Sequence, residues 1–446
     1  MVYRIIRATA IAAVVGFGAL AQDAGLRSEV SAVYPDAFAL YQDLHQHPEL
    51  SAHETRTASV LADRLRSLGY TVMEKFGRTG VVGVMTNGPG PVVMLRTEMD
   101  ALPVEEQTGL PYASKVRAKD DAGREVGVMH ACGHDLHMSA WWGTAAIMAR
   151  TRDRWHGTLM LIAQPAEETI AGAEGMVADG LFTRFPKPDV GLALHDTNNL
   201  AAGTVSITPD YYNASADSLR VTVYGRGGHG AKPETTIDPV LIASSIVVRL
   251  QSIVAREIHP GDAAVITVGY IQAGTKNNII PDQAEMGLTV RSRKPEVRKH
   301  LLDSIARVVE AEAQAGGAEK KPLIEKLESA AAVYNDPVLA RHLTPVLESA
   351  LGKSNVLPGE PIMTSEDYSV FVEAGVPSLY FELGAADPRK LAAANAAGTA
   401  LPSPHSALFA PVVEPALRTG IAAEVALLRN LLQGTPRDVR AFTGRK

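Results

Sequence analysis

The sequence predicts an α/β protein in which a smaller β-α-β-β-α-β unit interrupts a larger layered domain. Three observations carry this. Short apolar runs alternate with helical patterns through the first half, as expected of a sheet covered on both faces. The middle switches to half-exposed strands that frame two long helices. After about Tyr334 the first pattern returns. A chain of 446 residues supplies roughly two to four domains of ordinary size.

Taken in order, the chain opens on an address. Arg4 and Arg7 precede an apolar stretch over residues 8–20, and Ala19-Leu-Ala21 fits an A-x-A cleavage site. Residues 1–21 are read as a signal peptide cut after Ala21, which places the protein in the periplasm or outside the cell. The competing reading is an uncleaved anchor, for which the run is short. No other stretch reads as a bilayer span. Residues 54–68 are helical, 91–96 a strand, and a helix runs from near His137 to Arg150. Strands follow at 158–163 and 190–194. The middle reads as a strand at 218–224 and a helix at 238–258, with Pro239 near its start. Then come strands at 264–271 and 284–292, a helix at 296–315 and a final strand at 322–327. That order is the ferredoxin-like arrangement, and an inserted unit of this size suits a lid or dimerisation module. The division is therefore 22–214 and 330–446 for the main domain and 215–329 for the insert. In the second part, 337–351 and 415–432 are helices, 378–382 is a strand, and the Ala-, Gly- and Pro-rich stretch 385–403 is a loop.

Composition narrows the function. Apolar residues make up 46% and charged residues 21%, a globular balance that argues against disorder. Lys and Arg number 43 against 49 acids, net −6. Nucleic acid and anionic membrane surfaces are therefore not expected partners. A single Cys rules out an intrachain disulfide and a Cys-only metal cage. HExxH, GxSxG and Walker signatures are missing. Gly225 to Gly230 fits GxGxxG, but Pro233 and Pro239 leave no helix opening at Gly230 to receive a pyrophosphate.

Chemistry-bearing residues gather at predicted strand ends. Met129-His-Ala-Cys132-Gly-His134-Asp135-Leu-His137 places Cys132 and His134 two apart, both ligands for a borderline-soft metal. Asp135 stands as a supporting or ligating carboxylate, and His137 could share a helix face with His134. Alone, the cluster also fits a buried Cys among capping residues. Glu167 and Glu168 follow the strand at 158–163, where open α/β sheets place their sites. In extended backbone, neighbours point different ways, so one acid could bind metal while the other faces substrate. Alone, they also fit an acid-decorated helix start. His195 and Asp196 end a third apolar run, and Glu98 and Asp100 follow a fourth. His405 could add a ligand from the returning half. Met176 and the Trp141-Trp142 pair read as packing.

These residues, with several other stretches, resemble the aminoacylase/carboxypeptidase-G-type metallopeptidases. Specifically, they resemble the hippurate-hydrolase and auxin-conjugate-hydrolase branch of amidohydrolases. The matching stretches are Leu44-His-Gln-His-Pro-Glu-Leu-Ser51 with Glu54, Leu95-Arg-Thr-Glu-Met-Asp-Ala-Leu-Pro103, His130-Ala-Cys-Gly-His-Asp135 and Gln164-Pro-Ala-Glu-Glu168. Gly227-Gly-His-Gly230, Asn278-Ile-Ile-Pro281, Thr289-Val-Arg291 and Ser365-Glu-Asp-Tyr368 complete the set. The resemblance implies a zinc-peptidase-like catalytic domain with a mixed central sheet and an inserted lid/dimerisation domain. It implies two divalent metal ions per chain, zinc or manganese first and cobalt or nickel as alternatives. Residue by residue it makes Cys132, His134, Glu168, His195 and His405 the ligands, with Cys132 bridging. Glu167 falls on the general base, and His229 on a lid histidine that reaches a site across a homodimer interface. Asn278 and Arg291 fall on substrate-holding positions, the arginine on a carboxylate. The chain departs from the family pattern at Glu98, where Asp is usual, and at Gly230-Ala-Lys-Pro-Glu234. The loop before His405 is long, and His405 is followed by Ser-Ala rather than Ser-Pro.

The implied activity is metal-dependent hydrolysis of an amide beside a free carboxylate, in an N-acyl amino acid or a short peptide. Glu167 would take the proton of water and return it to the leaving amine, and His229 would steady the oxyanion. Two alternatives stand beside it: a dipeptidase or carboxypeptidase using the same site, and a non-catalytic metal- or peptide-binding protein. A binder would have no use for a spare base next to Glu168.

Overall fold

The computed structural model describes residues 24–441 and 443. The export signal expected at residues 1–21 lies outside the described residues.

The main sheet has eight strands. Their spatial order is Thr71–Phe76, Gly80–Asn87, Gly157–Gln164, Val92–Glu98, Val190–Ala201, Ser378–Ala386, Val205–Ile207 and Val356–Pro358. The strands from Gly157–Gln164 to Ser378–Ala386 form a parallel run of four, flanked by antiparallel pairings, so the sheet is mixed. Side chains alternate between two apolar layers. Val93, Leu95, Leu159, Leu161, Leu192 and Leu194 face one core, while Met94, Met160, Ile162 and Ala193 face the other. This is the period-2 pattern of strands buried on both faces, and each fully buried Leu contributes about 2 kcal/mol of transfer free energy. On the first face lie the helices Ala24–Gln46, His134–Arg150 and Val413–Gln433. The second is covered by the short helices Gly172–Ala178, Leu181–Arg184 and Ser369–Glu373. Trp141, Trp142 and Met176 are buried in these layers as packing residues.

Residues 215–330 build a second sheet. Its strand order is Ala264–Ala273, Gln283–Ser292, Ser215–Tyr224, Leu323–Ala330, antiparallel throughout. The helices Pro239–Glu257 and Pro295–Ala315 cover it and share an apolar core that includes Val221, Val223, Ile242, Ile246, Met286, Leu301 and Ile305. Pro239 opens the first helix, and the Asp238 side chain caps it by accepting from the N–H of Val240.

The structure corrects several sequence expectations. The stretch 385–403 is not all loop. Pro388–Ala397 is helical, with Asp387 capping its start and Gly398 (φ 64°) closing its end. An Asp-Pro start ahead of an Ala-rich run was the available signal. The third strand of the parallel run extends to Ala201, so His195 and Asp196 lie within it rather than beyond it. The helix expected from near His137 begins at His134. A further helix, Ala24–Gln46, precedes the first element expected from the sequence. Finally, the insert helix Pro239–Glu257 is long and apolar enough to cross a bilayer, with a hydropathy of 1.4, contrary to the reading that no such stretch follows residue 21. Its apolar excess has a packing reason, since Ile242, Ala243, Ile246, Leu250 and Ile253 are buried against the four-stranded sheet.

Candidate metal centre and active site

The parallel run sends its C-terminal ends to one edge, where Glu98 pairs with Gln164 in register and His195 with Glu382. Open α/β sheets place their sites at such an edge. The turn after Gln164 carries Glu167 and Glu168. Gly133, in the left-handed region at φ 79°, leads into the helix that starts at His134. A Cβ on Gly133 would stand 2.4 Å from the Asp196 carboxylate, so only glycine lets these two segments meet.

Five residues from four separate segments converge here. Cys132 Sγ is 3.4 Å from His195 Nε2. His134 Nε2 lies 3.9 Å from Glu168 Oε1, and His405 Nε2 lies 3.3 Å from Glu168 Oε2. Glu167 Oε2 is 3.8 Å from the same His134 nitrogen. Ligand-type atoms of Cys132, His134 and His195 lie within 4.8 Å of one another, as do those of Cys132, Glu168 and His405. His405 arrives on the long loop of the second half, held by its N–H donating to the Ala131 carbonyl at 2.7 Å. Its side chain is 56% exposed, unlike the others.

The ring tautomers follow from their partners. His134 Nδ1 faces the Asp100 carbonyl at 2.8 Å, and His195 Nδ1 faces the Asp196 carbonyl at 2.7 Å. A carbonyl only accepts, so each Nδ1 carries a proton and Nε2 is the nitrogen turned to the cluster. Asp100 joins two of the segments. Its Oδ2 accepts from the Glu168 N–H at 3.0 Å and from the Ser51 hydroxyl at 2.7 Å.

The charge balance of the cluster calls for a cation. Burial raises the Glu167 pKa well above the usual carboxylate range, and the nearby Glu366, Glu168 and Asp367 add to this. Burial, with Asp100, lifts Glu168 to about 7 against the opposing pull of His134. Burial beside Glu168 and Glu167 raises the Cys132 thiol well above its ordinary value. Burial disfavours a proton on His134, but Asp100, Glu98 and Glu168 outweigh it and carry the group to about 10. His134 Nε2 and Glu168 Oε1 are buried without a hydrogen-bond partner. Buried polar atoms are rarely left so. A soft thiolate, imidazoles and carboxylates are the donor set of a transition-metal or zinc site, and the residues fit such ions.

Other expectations resolve differently. Asp135 is not part of the cluster: its Oδ2 binds His45 Nδ1 at 2.6 Å. Glu167 and Glu168 sit in a turn rather than extended backbone, so both reach His134 instead of pointing apart. His137 does share a helix face with His134, the ring centroids being 5.5 Å apart. It lies between Glu98 Oε1 at 3.3 Å and Asp196 Oδ1 at 3.1 Å. Glu98, the longer acid at a usual Asp position, is spent on His137 and on Arg96 Nη1 at 3.0 Å. Arg96 is fully buried and also meets Glu366 and Asp367. Nothing local in the sequence marks these two acids as partners of Arg96, which lies about 270 positions away.

The insert residues stay apart from this cluster. His229 and Asn278 are neighbours on a two-stranded ribbon, with His229 paired to Ile279 and the Gly230 N–H donating to the Asn278 carbonyl. Both are exposed. Arg291 Nη1 donates to the Met363 carbonyl at 3.1 Å. Among the described residues, no hydrogen bond or ion pair joins any of the three to the Cys132–Glu168 group.

Comparison with known proteins identifies the family. A family model, peptidase family M20/M25/M40, matches residues 94–399. The chain is 34% identical over 407 residues to thermostable carboxypeptidase 2 of Saccharolobus solfataricus, covering 90% of this chain and 97% of that one. It is 38% identical over 332 residues to the hippurate hydrolase of Campylobacter jejuni, covering 74% and 83%. It is similar in structure to the YXEP protein of Bacillus subtilis, a dinuclear metal binding peptidase, with a TM-score of 0.71 at 28% identity over 89% of this chain and 98% of that one. A family match over most of the chain, with relatives at 34% and 38% identity, places this chain in the M20/M25/M40 peptidase family, whose members are metal-dependent hydrolases of amide bonds.

Proposed function

We propose that this protein hydrolyses the amide bond of N-acyl amino acids or short peptides that carry a free carboxylate. The observation that carries the reading is the adjacent pair in the turn: Glu168 lies against His405 and His134, while Glu167 is buried beside them with a raised pKa. Cys132, His134, Glu168, His195 and His405 would hold two divalent ions, of zinc or manganese, with cobalt or nickel as alternatives. When bound, such ions polarise a carbonyl and make water acidic enough to react near neutral pH. Glu167 then accepts the proton of the attacking water on its carboxylate and returns it to the leaving nitrogen. Burial raises its pKa and so makes it a stronger base than an exposed carboxylate.

The four-stranded unit acts as a lid in this reading. His229 and Asn278 sit together and exposed, so a rigid movement of the unit, or a second copy of the chain, can deliver both at once. Arg291 would leave the Met363 carbonyl to take the substrate carboxylate as a bidentate pair. A homodimer through this unit is supported by its edge strand Ala264–Ala273, where Val265, Tyr270 and Ile271 are exposed, and by exposed Leu241 and Val248 on the neighbouring helix. Unpaired edges with apolar side chains are natural pairing surfaces. Export to the periplasm or beyond rests on Arg4, Arg7 and the apolar residues 8–20 alone.

A carboxypeptidase is the second reading, favoured by the 34% identity to the Saccharolobus enzyme. One panel separates the possibilities. Metal-reconstituted protein is assayed on hippurate, N-acetyl amino acids, dipeptides and the C-terminal amides of each. The expected result is turnover of acyl amino acids with a free carboxylate and loss on their amides. Preference for dipeptides would favour the peptidase. Inactivity on every member by protein holding about two equivalents of metal would favour a binding protein.

A further inference from the structure

Glu54 is a carboxylate with no exposed surface, and the family reading leaves it without a task. It stands at the start of the helix Thr55–Ser67 but does not cap it. The first N–H groups there, of Arg56 and Thr57, go to the Glu49 carboxylate at 3.0 and 2.8 Å. The Glu54 side chain turns the other way. Its Oε1 accepts from the Ala166 N–H at 2.8 Å and the Ala52 N–H at 2.7 Å, and its Oε2 accepts from the Thr79 hydroxyl at 2.5 Å. Ala166 is the residue before Glu167, and its φ is +50°. A left-handed conformation is disfavoured for an L-residue and persists where the surroundings over-determine it. Two residues on, the Glu168 N–H is held by Asp100 Oδ2 at 3.0 Å. Carboxylates from two remote segments thus pin alternate N–H groups of the turn that presents the acid pair.

We propose that Glu54 is a positioning residue for Glu167: it holds Ala166 in the left-handed conformation that aims the Glu167 carboxylate into the site. The inference rests on Glu167 being the base. Displacing a reacting group by about 1 Å can cost on the order of a hundredfold in rate, so a relaxed turn should be read in kcat.

The test compares three variants in metal-reconstituted protein. Glu54→Met keeps the volume and removes both acceptors; kcat should fall about tenfold or more with KM within about twofold. Glu54→Gln keeps one acceptor oxygen for the Ala166 N–H and should retain about a third of kcat or more. Glu54→Met combined with Ala166→Gly should recover severalfold, because glycine adopts positive φ without the clamp. A crystal structure of Glu54→Met without metal should show Ala166 outside the left-handed region. A merely structural Glu54 would lower the unfolding temperature, leave kcat of the folded fraction intact and show no glycine rescue. Full kcat in Glu54→Met, or a loss that Ala166→Gly does not recover, overturns the proposal. Should Glu54→Met not fold, Thr79→Val frees Oε2 and should lower kcat severalfold at constant KM; unchanged kcat there overturns it equally. Glu167→Gln is measured alongside. If that variant keeps full kcat, the base assignment is what fails.

Discussion

Glu167 and Glu168 are neighbours in sequence, and their surroundings differ enough to separate them by mutation. Glu168 lies against two imidazoles, His134 and His405. Glu167→Gln should therefore keep most of the metal and lower kcat by about a hundredfold or more, the scale of general-base catalysis. Glu168→Gln should lower metal content itself, measured by elemental analysis. The reverse pattern would exchange their roles. A second acid offers a stability test away from the cluster. Glu424 on the helix Val413–Gln433 is fully buried, accepts from the Thr144 hydroxyl at 2.7 Å, and is pushed by burial to about 8. The folded protein holds a proton that the unfolded chain releases above its ordinary pKa of about 4.5. Stability is thus lost as pH rises from about 4.5 to about 8. Glu424→Gln should raise the unfolding temperature, by an amount that grows between pH 5 and 8. Its ceiling is a few kcal/mol, given about 1.4 kcal/mol per pKa unit. A gain independent of pH would contradict the assignment. At this scale the sequence shows which residues are reactive and not which are partnered. His45 and Asp135 meet across 90 positions, and Arg96 and Glu366 across 270.

Elements decide where reactive residues point. The helix His134–Arg150 is buried from His134 to Met148, between the helices Ala24–Gln46 and Val413–Gln433. Its start is therefore rigid, and Gly133 is the joint that sets it. Gly133→Ala would force a side chain into the left-handed region and onto the Asp196 carboxylate. A loss of about 2 kcal/mol or more is expected, with lower metal content because Cys132 and His134 flank the joint. Thermal unfolding and elemental analysis check both; unchanged metal binding would show that the joint does not aim the ligands. The parallel strands were legible because they are uniformly apolar, and the insert because its alternation differs. Their ends were less so. The strand Val190–Ala201 continues past His195 because Ser378–Ala386 pairs with it as far as Ala201, a partner nearly two hundred positions away.

At the scale of the molecule, the residues assigned to one site lie on two separate sheets. The cluster of Cys132, His134, Glu168, His195 and His405 is assembled on the main sheet, while His229, Asn278 and Arg291 belong to the four-stranded unit. If the unit dimerises through its edge strand, Ile271→Asp should yield monomers in sedimentation and leave each chain folded, since Ile271 is 44% exposed. If His229 acts across that interface, mixing Glu167→Gln and His229→Ala chains should restore part of the activity through hybrids with one intact site. No recovery despite demonstrated subunit exchange would count against action in trans.

By itself the sequence determined the α/β class and the β-α-β-β-α-β order of elements in the middle of the chain, and it named candidate site residues, because periodicity and residue chemistry are local properties. Only the tertiary structure decided that Cys132, Glu168 and His405 meet, that Asp135 turns away to His45 while Asp100 joins His134 to Glu168, and that Glu54 holds the turn before Glu167. Those contacts link segments tens to hundreds of residues apart. They exist because parallel strands end at one edge and the packed core leaves each buried polar atom few partners to choose from.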